Sequence, residues 1–118
     1  MEENEMKDIY GEITYKDKTY KLAFNLNVME SIQEKYGTVG KWAELTDKDE
    51  PDFKAIIFGF TEMLNEGIDM DNEENGTDLK PLTLKQVGRL ITEIGLANAT
   101  ATLNETVIAS TKSEEKNE

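Results

Sequence analysis

Ile13-Thr14-Tyr15-Lys16-Asp17-Lys18-Thr19-Tyr20-Lys21-Leu22-Ala23-Phe24 sets Ile13, Tyr15, Tyr20, Leu22 and Phe24 in alternation with polar residues. That is the period-2 pattern of a half-buried strand. Lys16, Asp17 and Lys18 interrupt it midway, so the stretch reads as two strands joined in a hairpin. A lone hairpin is marginal in water and must lay one face on other elements. The remaining apolar periodicity is helical. The expected fold is therefore α+β and mainly helical, with an N-terminal β-hairpin packed on a cluster of four to five helices.

Working outward, Asn27 and Glu30 fit a capping box, with Asn in place of Ser or Thr. Val28, Met29, Ile32 and Tyr36 form one apolar side, and Gly37 supplies the stop. A short helical turn follows, with Trp42 and Leu45 directed inward. Asp49-Glu50-Pro51 opens the strongest helix, with Pro51 at the first helical position, where its missing N–H costs nothing. Phe53, Ile56, Ile57, Phe60, Met63 and Leu64 share a face, which places Phe53 and Phe60 in the core. Gly67 is read as the end of that helix.

From Glu66 to Asp78 the chain has six acidic residues and no basic one, with Asn75-Gly76 as a turn signal. Residues 67–80 are accordingly expected to form a solvated acidic loop. Thr83 and Gln86 make a second capping box, and Leu84, Val87, Leu90, Ile91 and Ile94 form an amphipathic stripe ending at Gly95. In Leu96–Ala109, Leu96, Leu103 and Val107 fall at helical spacing among poor helix formers such as Asn98, Thr100 and Thr102, which reads as a weak helix held by packing. The layout is one globular domain over 9–109, an unstructured acidic segment over 1–8, and a polar tail without order over 110–118.

The composition narrows function. The 118 residues suit one domain. With no cysteine, neither a disulfide framework nor a thiolate metal site can form. With no histidine, the commonest acid–base catalyst and transition-metal ligand is missing. A net charge of −12 opposes binding to nucleic acid and to acidic membrane surfaces. No apolar run approaches the ~18 residues of a membrane span. Met1–Asp8 lacks the basic and apolar regions of a signal peptide, so a cytoplasmic location is expected.

Individual candidates add little chemistry. Asp69, Asp71 and Glu73 mimic the first three ligand positions of a calcium loop, but Glu74 and Lys80 stand where the pattern requires glycine and a bidentate glutamate. Three Asn-x-Thr sequons have no secretory context. Carboxylate pairs occur by chance among 25 acidic residues, and a serine nucleophile has no histidine base. Neither a catalytic residue, a metal site nor a cofactor is expected.

The apolar residues are more informative. Phe58 points about 140° from Phe53 around the helix, so it either packs under a neighbouring element or belongs to an exposed partner-binding patch. Leu96, Leu103 and Val107, with Ile108 off their seam, suit helix packing within the domain or against another subunit. Phe58, Leu96, Leu103, Val107 and Ile108 are thus the candidate partner-binding residues.

In layout the chain resembles the tail assembly chaperones of long-tailed bacteriophages and of prophages of Gram-positive bacteria. The resemblance covers about residues 9–109. It rests on the 13–24 hairpin, on Asn25-Leu26-Asn27-Val28-Met29-Glu30-Ser31-Ile32 leading to Tyr36-Gly37, on the apolar helix around Ala55–Leu64, and on Leu82-Thr83-Leu84-Lys85-Gln86-Val87-Gly88-Arg89-Leu90-Ile91 leading to Gly95-Leu96. The acidic stretch Asp69–Asp78 is longer than that layout requires. The resemblance implies a non-enzymatic helper, absent from the finished particle, that keeps the helical tape measure protein soluble and helps recruit tail tube protein. It also implies a homo-oligomer. Other readings are another protein-binding adaptor, such as a head–tail connector component or an acidic mimic, and a carboxylate-based metal-dependent hydrolase.

Overall fold

Two strands, β1 (Tyr10–Tyr15) and β2 (Lys18–Ala23), pair antiparallel with Ile13 opposite Tyr20 and Tyr15 opposite Lys18. The computed structural model describes residues 10–116, and side chains over 11–110. The segment 1–8 and residues 117–118, expected to lack order, lie outside the described residues. The hairpin turns through Lys16 and Asp17, both at positive φ (52° and 65°). That conformation matches a two-residue turn to the twist of its strands. Five helices follow among the described residues: α1 (Leu26–Tyr36), α2 (Val39–Thr46), α3 (Phe53–Asn75), α4 (Leu84–Ile94) and α5 (Leu96–Lys116). The fold is α+β and mainly helical, with the hairpin packed on the helices.

α3 is the central element. It packs on β2, α1, α2 and α4, while α5 covers β1 and touches α4. The core joins Leu22 and Phe24 of the hairpin segment to Val28 and Ile32 of α1, Trp42 of α2, Ile56, Phe60, Met63 and Leu64 of α3, Val87 and Leu90 of α4, and Leu103 of α5. Trp42 stacks on Phe24 at 6.2 Å between centroids and donates its indole N–H to the Ala55 carbonyl at 2.9 Å. A buried indole thereby keeps its hydrogen bond.

The acidic stretch is mostly not a loop. α3 runs through Gly67 and ends only at Asn75, with Gly76 in the left-handed conformation as its cap. A Cβ at Gly67 would lie 2.9 Å from the Lys21 carbonyl carbon, so glycine here admits the β2 backbone rather than stopping the helix. Acidic residues near a helix C-terminus oppose the macrodipole. Lys21 offsets them by pairing with Asp71 at 2.9 Å and Glu74 at 3.7 Å. Packing at Ile68 and this pairing outweigh the local signals for a loop.

Other boundaries shift for local reasons. Asn25, not Asn27, caps α1 by accepting from Val28 N–H, while its amide donates to Glu66 at 2.8 Å. α3 begins at Phe53 with Asp52 as the cap, so Pro51 precedes the helix. Thr83 and Gln86 do form the reciprocal capping box. The tail expected from residue 110 is helical through Lys116, and the buried Ser110 hydroxyl donates to the Phe24 carbonyl at 3.1 Å. That bond ties α5 to the exit of β2.

Candidate partner-binding groove

Asn65 and Asn72 are seven residues apart on α3, two helical turns along one face. Asn65 accepts from Leu82 N–H (2.8 Å) and donates to the Leu82 carbonyl (3.0 Å), and Asn72 holds Leu79 in the same two-way fashion at 3.0 Å each. The two amides fasten the segment after Gly76 back along α3 and fix where α4 starts. α4 then lies beside the N-terminal half of α3, across from the hairpin turn.

Between these elements opens a groove of about 1120 Å³, lined by Tyr15, Ile57, Phe58, Leu84, Gly88 and Thr92, with Lys16, Lys35, Lys54, Lys85, Arg89 and Glu93 around it. A smaller recess of about 230 Å³ continues past Ile57, Gly88 and Thr92 to Phe53, Ile91 and Leu96. Phe53 is 61% exposed and Leu84 56% exposed. Phe53 therefore does not join the core: it is the first residue of α3, in the turn that Asp52 caps, and stays in water. Two large apolar side chains left in water beside an apolar trough mark a surface suited to another molecule.

Phe58 is half-buried. Its ring meets Tyr36 edge-on at 5.8 Å, and the Lys35 ammonium lies 5.3 Å from its centroid. It packs under α1 and at the same time lines the groove. Burial, and to a lesser degree the Asp52 carboxylate, raises the Tyr36 hydroxyl above its ordinary pKa.

The other candidate residues are not gathered at one place. Leu96, 40% exposed, borders the smaller recess with Phe53. Leu103 is 1% exposed within the core, and Val107 packs against that core. Ile108 is exposed on α5 and lines neither recess. Ile57, Leu84 and Phe53 sit on stripes that look continuous with the core, and Gly88 has no side chain to mark it. In the fold Phe53 and Leu84 stay exposed, and Ile57 and Gly88 are only half-buried.

Among the described residues no three Asp or Glu side chains converge as a metal site would require. Asp69 and Asp71 lie on helix, where positions two apart diverge by about 200°. No helix of the described residues is long and apolar enough to cross a membrane. Comparison with protein-family models, curated proteins and solved structures returned no match.

Proposed function

We propose that this chain is a tail assembly chaperone of a long-tailed bacteriophage or prophage, a non-enzymatic protein that holds a helical stretch of the tape measure protein in solution. In this role it acts in the cytoplasm of the bacterial host, self-associates, helps bring tail tube subunits to the tape measure, and leaves before the virion is complete. The observation that carries the reading is the groove between α3, α4 and the hairpin turn, edged by the exposed Phe53 and Leu84. The groove is open along one side and its floor is apolar, so it can seat one face of a short amphipathic helix. Amphipathic helices laid in apolar grooves are a recurring mode of protein recognition. The order of elements that gives the resemblance to these chaperones supports the same reading.

Co-expression with the tape measure protein of the same tail gene cluster tests it. The expected result is a several-fold rise in soluble tape measure protein that co-purifies with this chain, reduced by Leu84→Asp together with Ile57→Asp. Tape measure protein that stays in the pellet at the same level with and without this chain would overturn the proposal.

A further inference from the structure

Of the 13 basic and 25 acidic residues in the chain, five and one line the larger groove, which leaves eight and 24 elsewhere. One apolar trough thus carries a net positive rim on a molecule that is otherwise strongly negative. Lys16, Lys35, Lys54, Lys85 and Arg89 come from the hairpin turn, α1, α3 and α4, so the concentration is made by folding and is not a run in the sequence. Among the described residues none of the five is within ion-pair distance of a carboxylate. Two are instead held over rings, Lys16 at 5.4 Å from the Tyr15 centroid and Lys35 at 5.3 Å from that of Phe58. Such contacts orient an ammonium group without neutralising it.

We infer that the groove selects an amphipathic helix whose apolar stripe is flanked by glutamate or aspartate. Ile57, Phe58 and Leu84 receive the stripe, and the rim cations receive the flanking carboxylates. This inference rests on the reading of the groove as the client site and adds the charge of the client. Nucleic acid fits less well, because the trough between the cations is apolar and the surrounding field is negative. Cations flanking an apolar seam select a partner by attraction to opposite charge and by repulsion of like charge.

Fluorescence anisotropy with the full chain tests this, using two 20-residue synthetic helices. Both carry the same leucine stripe, one with glutamate flanks and one with lysine flanks. At about 50 mM salt the acidic peptide is expected to bind about tenfold tighter, since three or four exposed pairs each contribute about a factor of two. The preference should shrink severalfold by 0.5 M salt, where screening acts over ~4 Å. It should also vanish in Lys85→Glu with Arg89→Glu, both exposed positions, with the circular dichroism unchanged. A preference for the acidic peptide runs against the net charge of −12, so it cannot come from the overall field and points to the local rim.

Tighter binding of the basic peptide, equal binding of both, or no binding of either would overturn the inference. So would tighter binding of a 20-nucleotide oligonucleotide, which would assign the rim to phosphates. A concentration-dependent dimer that the double reversal dissociates would assign the groove to a second copy and overturn it too. If the chain still solubilises tape measure protein while showing no acidic preference, the inference fails and the proposed function stands. If solubilisation fails, the proposed function falls whatever the peptides do.

Discussion

Trp42→Ala is expected to lower the free energy of unfolding by about 4 kcal/mol, within the range for deleting a buried large aromatic side chain. The indole is 1% exposed, stacks on Phe24 and donates to the Ala55 carbonyl. It also lies where α3 presents Gly59: a Cβ there would come within 2.9 Å of the indole nitrogen. Hairpin exit, α2 and α3 therefore meet on one side chain, and no neighbour can collapse into its space without moving a helix. A domain of this size has only about 5–15 kcal/mol of total stability, so the variant should unfold at markedly lower denaturant. Chemical denaturation followed by circular dichroism measures it. A loss below about 1.5 kcal/mol would mean that Trp42 is not the joint between α2 and α3.

Gly67→Ala is expected to destabilise by about 2 kcal/mol, although alanine is the better helix former by about 1 kcal/mol. The new methyl would press on the Lys21 backbone, whose carbonyl carbon would be 2.9 Å from it. A strand backbone held in a ladder cannot yield as a flexible side chain can. Gly76→Ala is the control. Gly76 has φ of 66° with nothing within 4 Å of an added Cβ, so its loss is the left-handed penalty alone, about 1 kcal/mol. Were Gly67 the helix stop that its neighbours advertise, the two substitutions would cost the same. A Gly67→Ala variant as stable as the parent would remove the close crossing of α3 over β2.

These two positions show where the sequence is readable and where it is not. The alternation through Ile13, Tyr15, Tyr20 and Leu22 defines the hairpin because period-2 burial has few other causes. Thr83 and Gln86 mark the start of α4 because the reciprocal capping bonds need those residue types three apart. Gly67 misleads because a glycine required for close packing and a glycine required for a cap look alike in one dimension. The acidic residues after it misled for a related reason: Lys21, which pairs with Asp71 and Glu74, is some 50 residues earlier.

The groove was less legible than the fold. Of the candidate partner-binding residues, Phe58 and Leu96 line the two recesses, yet Leu103 is core. Phe53 and Leu84 carry core-like spacing, yet each is the first residue of its helix and stays exposed. The five rim cations come from four separate elements, so no charge run announces them. Asn65 and Asn72 have the one overlooked regularity, a seven-residue spacing that fastens the segment leading into α4.

Hydrogen–deuterium exchange on the chain purified with the proposed client, a tape measure protein, decides whether the groove is where that client sits. Amides of 53–58 and 84–93, flanking Ile57, Phe58, Leu84 and Arg89, should exchange at least severalfold more slowly in the complex than in the free chain. Those of the acidic end of α3, 69–75, should be unchanged. Slowed exchange at 69–75 with none at 53–58 and 84–93 would contradict the assignment and move the client to the opposite end of the long helix.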